Sequence, residues 1–438
     1  MRFIGPTAIL SAVILWAAPA QPLQRIPVNY DESKVGQYTL PDPLVTLDST
    51  RVRDAATWNS RRRPELIRLF EENVYGRSPG RPSDESFEVF DLDRHALGGK
   101  AVRKQVTVYF SRRKDGPRED VLIYIPAGAR APVPVVLSLN FMGNQAVMAA
   151  DAAVKLPMLW DREHKTKHQA AEDARVQNKD FGGAVEKTLA RGYGFATIYY
   201  GDIEPDFAGG MVYGVRPLYF QPGQVEPGPE DWGALAAWGW GMSRAIDYME
   251  TDREIDAKRV AILGQSRLGK TVLWAGARDT RVAMVLANCS GEGGAALARR
   301  WYGETVKHMN VNFPYQFCTN YQKYGDDPAR MPVDTHELIA LLAPRPVYLG
   351  TAAEDQWSDP KGEFLASVAA EPVYRLLGKR GLETDRLPPL NEPILHDIAY
   401  HIRSGKHEIT AFDWDQFLRF ADMHLARPPA SRSHGEMK

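Results

Sequence analysis

The sequence predicts an α/β fold with a mostly parallel central sheet, covered by helices on both faces in a three-layer αβα sandwich. Short apolar runs rich in β-branched and aromatic residues recur along the chain, at 132–140 (PVPVVLSLN), 195–200 (FATIYY) and 346–350 (PVYLG). Segments with helical spacing of apolar residues lie between them. Apolar strands that alternate with helices are typical of a parallel sheet that is buried on both faces.

The composition is that of a folded, near-neutral chain. Of its 438 residues, 54 are Lys or Arg and 55 are Asp or Glu, which gives a formal net charge of −1. Hydrophobic residues make up 44% and charged residues 25%, as in ordinary globular proteins. A near-zero charge argues against a partner held by bulk electrostatics, such as nucleic acid or an anionic membrane surface. We therefore expect no nucleic-acid partner. As a separate expectation, we take the chain to be a monomer.

The first 20 residues predict a cleavable export signal. Arg2 precedes an apolar run at 8–16, and Ala18-Pro19-Ala20 supplies the small-x-small pattern of a cleavage site. The apolar run is shorter than the ~20 residues that span a bilayer. An uncleaved membrane tether is the alternative, and it would change the location but not the chemistry. We expect an exported chain, in the periplasm or the medium, with no membrane contact after cleavage.

The remaining chain, 21–438, predicts a single domain with loop insertions, because no linker or internal repeat divides it. Residues 21–45 are rich in Pro and predict an extended arm that lies on the body. A stretch at 148–187 combines helical periodicity with mixed charges, which predicts an exposed insertion that walls the cleft. The other predicted elements are helices at 61–75 and 231–250, and strands at 106–110, 120–125, 259–263 and 284–288.

The sequence offers no recognisable metal site. His164 and His168 are four residues apart and could share a helix face, but interleaved lysines favour a solvated surface. Cys289 and Cys318 match no metal-ligand spacing. The two cysteines could pair after export or remain as buried free thiols, and the sequence does not decide between these states. We expect neither a metal nor another cofactor.

A serine on a predicted strand-to-helix turn is the sharpest chemical feature. The run GQSRLGK (264–270) follows the strand RVAIL and leads into a helix-like segment. A serine in this context has its hydroxyl pushed out at the edge of the sheet, beside the free N–H groups of the helix N-terminus. The pattern is G-x-S-x-x-G, one residue longer than the usual G-x-S-x-G turn. An ordinary turn with Ser266 as a helix cap is the alternative.

A serine nucleophile needs a base, and the base needs an acid that orients it. In α/β-hydrolase order the acid follows a later strand, and the histidine comes near the C-terminus. The segment 351–360 carries three acids directly after the strand PVYLG, and 400–407 is predicted to be a loop. Position alone does not choose among the histidines of the C-terminal part, which are His396, His401, His407 and His424.

Five segments together resemble the bacterial glucuronoyl esterases of carbohydrate esterase family 15. The segments are RRRPELIRLFEENVYGRSP, GQSRLGK, NCSGEGGAALARRWYGE, AEDQWSDPKGEF and YHIRSGKHEITAFDW. They follow one another in the family's order and span most of the chain after the signal. The resemblance implies an α/β-hydrolase fold and a metal-independent serine esterase. It also implies a substrate, the ester between 4-O-methyl-glucuronate on glucuronoxylan and a lignin alcohol.

The resemblance also implies roles for individual residues. Ser266 matches the nucleophile, and His407, in a Gly-x-His motif, matches the base, which leaves His401 in a supporting role. Arg267 matches the residue that forms the oxyanion hole with its backbone and side chain. The positions that hold the sugar ring and its hydroxyls are matched by Lys270, Glu304 and Trp357.

One position departs from the family pattern. Many members carry the triad glutamate directly before the Ser-Gly of the SGxGG segment, where this chain has Cys289. A thiol does not supply the stable anion that an imidazolium needs. Asp355 matches the family's other acid position, after the later strand, and we assign it as the orienting acid. Glu354 and Glu292 are the lesser candidates.

Two other functions remain open at this stage. The same fold could act on another carbohydrate ester, such as an acetyl ester on xylan or an ester of a different uronate. A catalytically inactive glycan-binding protein is the second alternative. The intact set of Ser266, His407 and Asp355 argues against it.

Overall fold

The computed structural model describes residues 26–130 and 132–426, so the predicted export signal at 1–20 lies outside the described residues. Ten strands form one sheet in the order β1-β2-β3-β7-β4-β8-β9-β10-β12-β11, and β5 and β6 form a separate hairpin. The strands are β1 Ser86–His95, β2 Ala101–Tyr109, β3 Arg118–Pro126, β4 Val133–Asn140, β5 Met158–Asp161, β6 Thr166–Gln169, β7 Gly194–Tyr199, β8 Ile255–Gln265, β9 Met284–Asn288, β10 Val347–Ala352, β11 Ile394–Leu395 and β12 Ile398–Arg403.

The middle of the sheet is parallel. Strands β7, β4, β8, β9, β10 and β12 pair in parallel, whereas β1, β2 and β3 at one side and β11 at the other pair antiparallel. The carboxyl ends of the six parallel strands therefore meet at one edge, where open α/β sheets place their ligands.

Helices cover both faces of this sheet. They are α1 Ala55–Thr57, α2 Arg63–Phe70, α3 Ala96–Gly99, α4 Ala184–Ala190, α5 Tyr200–Ile203, α6 Ala234–Met249, α7 Arg267–Arg278, α8 Val306–Asn312, α9 Thr335–Ala340, α10 Pro360–Leu376 and α11 Ala411–His424. Alternate residues of β8 enter two different cores: Val260 and Ile262 pack with α6, α7, α9 and α10, and Ala261 and Leu263 pack with α4 and α11. The predicted αβα sandwich is confirmed.

Most predicted elements are present with small changes in their ends. The predicted helix at 61–75 belongs to a longer helical run, in which π-helical turns at Trp58–Arg62 and Glu71–Tyr75 flank α2. The arm at 26–45 has little regular structure and is tied to the body, since Glu32 forms ion pairs with Arg300 and Lys361. The first strand, β1, was not predicted: it lies at the edge of the sheet, and its apolar residues alternate with acids and are mostly exposed.

Two predictions about local structure are wrong. The stretch 148–187 is not mainly helical: it contains the β5–β6 hairpin and short turns, and helix begins only at Ala184. His164 lies in the hairpin turn and His168 on β6, so they share no helix face. Packing decides this structure, because Trp160 of β5 contacts the rings of Phe207 and Tyr213. Segment 400–407 was predicted as a loop, but its first four residues continue β12, whose side chains are buried.

Two further facts concern the thiols and the membrane. Cys289 and Cys318 are both buried and free, so they do not form a disulfide with each other. Among the helices in the described part of the chain, none has the length and apolar character needed to cross a bilayer.

Candidate active site

The turn between β8 and α7 holds Ser266 in a strained conformation. Its backbone has φ 58° and ψ −128°, a region that non-glycine residues rarely adopt and that costs on the order of 1–3 kcal/mol. The Ser266 N–H donates to the backbone oxygen of Asn288 at the end of β9, 2.8 Å away. The turn is thus tied to the neighbouring strand, and strain of this kind is concentrated at functional sites.

The late second glycine has a packing reason. A Cβ on Gly264 would lie 2.0 Å from the backbone oxygen of Leu268, so the tight return of the chain requires glycine there. A Cβ on Gly269 would lie 3.1 Å from both the Asn288 oxygen and the Ser290 side chain. Glycine at 269 therefore lets the first turn of α7 approach the loop after β9. The turn does not need the second glycine at 268, where the usual G-x-S-x-G pattern would place it.

His407 and Asp355 form a hydrogen-bonded pair at the carboxyl edge of the sheet. Asp355 follows β10 and His407 follows β12, and these two strands are parallel neighbours. The distance from His407 Nδ1 to Asp355 Oδ2 is 2.6 Å. Since Nδ1 is engaged by the carboxylate, Nε2 is the ring nitrogen left to exchange a proton with another group. The Asp355 side chain is 4% exposed and that of His407 39%.

The pKa of Asp355 reflects these contacts. Burial acts to raise it, but hydrogen bonds from His407, Ser358 and Cys289 hold it below the usual value for aspartate. The carboxylate is therefore an anion at neutral pH. It can orient an imidazole and stabilise an imidazolium, which is the part an acid plays in a triad.

A second histidine supports the loop that carries His407. His401 is fully buried on β12, with Nδ1 2.9 Å from the Tyr348 hydroxyl and Nε2 2.8 Å from Asp413 Oδ1. Asp413 also accepts from Arg403 Nε at 2.7 Å. Arg403 in turn donates to the backbone oxygens of 404, 406 and 408 and so braces the turn around His407. His401 is too enclosed to act on a substrate.

The remaining histidines of the C-terminal part lie apart from this pair. His396 Nδ1 is 2.8 Å from the backbone oxygen of Gly381, and its Nε2 lies 2.9 Å from Arg380. His424 Nε2 is 3.3 Å from the backbone oxygen of His396. In the described part of the chain, the one carboxylate within ion-pair distance of either ring is Glu383, 3.9 Å from His396 Nδ1, and it is none of the acid candidates. The geometry therefore favours His407.

The lesser acid candidates are also placed away from His407. Glu354 is exposed, and its carboxylate has no hydrogen-bond partner among the residues that the structure describes. Glu292 is buried and accepts from the Tyr321 hydroxyl at 2.7 Å and from Gly293 N at 3.0 Å. Burial raises the pKa of Glu292 to about 8, which leaves it mostly protonated at neutral pH.

Cys289 lies directly behind the pair. Burial, together with the negative charge of Asp355, raises the pKa of the Cys289 thiol well above its usual value. The thiol is therefore protonated and donates to Asp355, which contributes to the lowered pKa of that carboxyl. A protonated, buried thiol is a poor nucleophile.

Ligand atoms of Cys289, Asp355 and His407 lie within 4.8 Å of one another, the only such group of three or more metal-ligating side chains in the described residues. The carboxylate already binds the imidazole, and the thiol holds its proton. Metal binding at this group would have to displace the thiol proton and compete with the imidazole for the carboxylate.

Arg267, the first residue of α7, is held by a buried carboxylate. Its guanidinium donates to Asp206, which is fully enclosed, and lies 5.0 Å from the centre of the Phe313 ring. Asp206 is a hub. Its carboxylate also accepts from Arg162 at 3.0 Å, Tyr315 at 2.7 Å, Tyr200 at 3.1 Å and Gln316 at 3.2 Å.

Lys270, Glu304 and Trp357 form one hydrogen-bonded chain. Lys270 Nζ donates to Glu304 Oε2 at 2.6 Å, and Trp357 Nε1 donates to Glu304 Oε1 at 3.1 Å. Lys270 also donates to the backbone oxygens of Ser290 and Glu292, each at 2.7 Å. The three hydrogens of the ammonium therefore all have protein acceptors, and its side chain is 4% exposed.

Sequence reasoning missed several residues that position this site. Asp206 lies 61 residues before Arg267 and has no motif around it, and Arg403 and Asp413 look like ordinary strand and helix residues. Only Asp413 carries a local signal, since with Thr410 it forms the capping box of α11. Asp206 and Arg403 act through contacts made by folding, which no spacing rule reveals.

Glu363 supports the loop that follows Cys289 and makes the stability of the fold depend on pH. It is fully buried on α10 and accepts from Gly291 N at 2.7 Å and from Ser290 Oγ at 3.2 Å. Burial raises its pKa from 4.5 to about 8. Between these values the unfolded chain has lost the proton that the folded chain keeps, so this acid makes stability fall as pH rises.

We therefore expect Glu363→Gln to flatten the decline in unfolding free energy between about pH 5 and pH 8, measured by denaturant titration. Glu292 and Glu337, whose pKa values burial also raises to about 8, contribute their own decline in both proteins. Glu354→Gln, at an exposed acid, is the control and should follow the wild-type slope. An identical slope for Glu363→Gln and wild type would show that Glu363 is ionised in the folded state.

Comparisons with known proteins agree with this geometry. The family described as "Glucuronyl esterase, fungi" matches residues 227–378. The curated protein "Carbohydrate esterase MZ0003", from an unknown prokaryotic organism, is 48% identical over 401 residues, which cover 91% of this chain and 92% of that protein.

Solved structures agree as well. The glucuronoyl esterase from Solibacter usitatus is 50% identical with a TM-score of 0.87, covering 90% of this chain and 100% of that one. A promiscuous CE15 esterase from a marine bacterial metagenome is 47% identical with a TM-score of 0.83, covering 91% of this chain and 100% of that one. At this identity and coverage, the chain belongs to the glucuronoyl esterases of carbohydrate esterase family 15 and has their α/β-hydrolase fold.

Proposed function

We propose that this chain hydrolyses the ester between 4-O-methyl-glucuronate of glucuronoxylan and a lignin alcohol, with Ser266 as nucleophile, His407 as base and Asp355 as orienting acid. The observation that carries the proposal is the 2.6 Å contact between His407 and Asp355 at the sheet edge that also holds the strained Ser266 turn. Membership in the family supplies the class of ester.

The proposed reaction has two halves. His407 Nε2 takes the Ser266 proton as the oxygen attacks the C6 carbonyl of the glucuronate, and the same proton then goes to the departing alcohol. His407 then takes a proton from water as the hydroxide attacks the acyl-enzyme, and returns that proton to the departing Ser266 oxygen. The glucuronic acid so formed loses its own proton to solvent and leaves as a carboxylate. Asp355 keeps the imidazole in the tautomer with hydrogen on Nδ1 throughout.

Arg267 is proposed to stabilise the oxyanion. Its backbone N–H lies at the N-terminus of α7, where unpaired N–H groups and the helix dipole favour negative charge. Its guanidinium is held in place by Asp206, so little reorganisation is needed when charge develops. Because that charge exists only in the transition state, Arg267 should contribute to turnover more than to substrate binding.

Lys270, Glu304 and Trp357 are proposed to bind the sugar. Glu304 keeps lone pairs free on both carboxylate oxygens and can accept from ring hydroxyls, while half-buried Trp357 offers an aromatic surface. Lys270 already has three acceptors. A sugar hydroxyl would therefore share or replace one of them, and Lys270 also fixes the orientation of Glu304.

A second candidate function is a broader esterase activity on acetyl or other uronate esters. A specific finding favours testing it, because one similar structure is that of a protein described as a promiscuous CE15 esterase. We further propose that residues 21–438 act as one catalytic domain, exported and monomeric, that works without a metal or other cofactor.

The substrate assignment is tested by comparing wild type and Ser266→Ala on benzyl glucuronate and on an acetyl ester. We expect rapid cleavage of the uronate ester by wild type, little cleavage of acetate, and a rate loss on the order of 10⁴ or more in Ser266→Ala. Cleavage of acetate alone would keep the nucleophile and discard the substrate. No cleavage of either ester by wild type would contradict esterase function and favour a binding protein.

Asp206→Asn should lower kcat on benzyl glucuronate about tenfold and change KM little, because it removes the charge that orients the Arg267 side chain. Asp334→Asn is the matched control: Asp334 is equally buried and pairs with Arg299 at 3.0 Å away from Ser266. Both variants should lose stability in thermal unfolding, but only Asp206→Asn should lose turnover. An equal effect on kcat from both would show that Asp206 acts through stability alone.

A further inference from the structure

A cavity of about 590 Å³ lies beyond the β5–β6 hairpin, outside the site described above. Its walls come from the β2–β3 turn, the hairpin with the residues before it, and the segment after β7. The size is within the range of pockets that hold small ligands. None of the proposed catalytic or sugar-binding residues lines it, so it needs its own explanation.

The cations of this cavity are unequally paired. Arg113 forms an ion pair with Asp115 at 3.1 Å, and Lys155 forms one with Asp120 at 2.8 Å. Within residues 26–130 and 132–426, the one acceptor of the Arg118 guanidinium is the backbone oxygen of Lys114, at 2.6 Å. Lys167, the fourth cation, has no carboxylate of the described residues within ion-pair distance. Two positive charges on the walls are therefore available to an anion.

Lys167 lies on β6, and its ammonium stands over the Trp160 ring, 5.4 Å from the ring centre. Tyr213 and Val212 are 55% and 58% exposed, and Leu218 is 40% exposed. An aromatic ring and aliphatic side chains beside a free cation suit a sugar that carries a carboxylate, since sugar rings have apolar faces.

One carboxyl in the wall is suited to a sugar as well. Burial and the charge of Asp120 raise the pKa of Asp202 to about 7. Among the described residues its one hydrogen-bond partner is the Asp120 backbone N–H, at the long distance of 3.5 Å. Partly protonated near neutral pH, Asp202 can donate to a carboxylate or exchange hydrogen bonds with a hydroxyl.

The cavity opens at the same edge of the sheet as Ser266. Arg118 begins β3, which pairs antiparallel with β7, so the start of β3 lies beside the carboxyl end of β7. Strands β8, β4, β7 and β3 are successive neighbours, which at ~4.8 Å per strand places the cavity about 14 Å from the Ser266 turn along the sheet. An oligosaccharide of a few units covers that distance.

We propose that this cavity is an accessory subsite for an unesterified glucuronate on the same glucuronoxylan chain, with the carboxylate at Arg118 and Lys167 and the sugar ring against Tyr213. The inference rests on the proposed substrate. It predicts that the enzyme distinguishes a chain carrying several uronates from a chain that carries only the esterified one.

The test uses the double variant Arg118→Ala/Lys167→Ala with three substrates: benzyl glucuronate, a xylan fragment with a single esterified glucuronate, and a fragment with further free glucuronates. We expect KM for the last fragment to rise about tenfold and the kinetics on the other two to stay within twofold. Arg112→Ala removes an exposed charge from the same turn without touching the cavity, and should behave as wild type.

Three results would overturn the inference: an unchanged KM for the fragment with free glucuronates, an equal rise for the fragment without them, or a loss on all three substrates. If wild type does not cleave benzyl glucuronate, the esterase proposal fails on its own. Calorimetry with the unesterified glucuronoxylan fragment then tests the cavity separately. Affinity should be about tenfold weaker for Ser266→Ala/Arg118→Ala/Lys167→Ala than for Ser266→Ala, and equal affinities would contradict the subsite.

Discussion

The hydrogen bond between His407 and Asp355 is the constraint on which the site depends. It joins two loops that follow adjacent parallel strands, so it forms only when β10 and β12 are paired in register. Each partner has its own support. Ser358 and Cys289 donate to the carboxylate, and Arg403 holds the turn that carries the imidazole. The hydrogen-bonded cluster of Arg403, Asp413 and His401 thus explains why the partly exposed imidazole of His407 keeps its place.

Most of the buried charged side chains in this region have an oppositely charged or hydrogen-bonding partner. Lys270 is surrounded by acceptors, and Arg267 is neutralised by Asp206, so both cations can lie in enclosed positions. Glu363 and Glu292 avoid a buried charge in another way: burial raises their pKa values, so both keep a proton at neutral pH. The site therefore combines fixed charges close to Ser266 with neutral acids in the layer beneath it.

The sequence predicted the parts that depend on local pattern. The parallel core strands are recognisable in the sequence as short apolar runs. The glycines of GQSRLGK indicate a turn that only a small residue can make. The β5–β6 hairpin was predicted as helix because its structure is decided by Trp160 packing on Phe207 and Tyr213, which are distant in sequence. The choice of His407 among four histidines came from resemblance, and Asp206 could not be found because its partners meet only in the fold.

The central claim is that Asp355, and not its neighbour Glu354 or the thiol at 289, orients the base. The most direct measurement compares kcat/KM on benzyl glucuronate for Asp355→Asn, Glu354→Gln and Cys289→Ser. We predict a loss of about 10³- to 10⁴-fold for Asp355→Asn, because an amide favours the wrong imidazole tautomer. Glu354→Gln should stay within twofold of wild type, and Cys289→Ser, which retains a donor to Asp355, within about tenfold. A mild effect of Asp355→Asn with a large effect of Glu354→Gln would contradict the account.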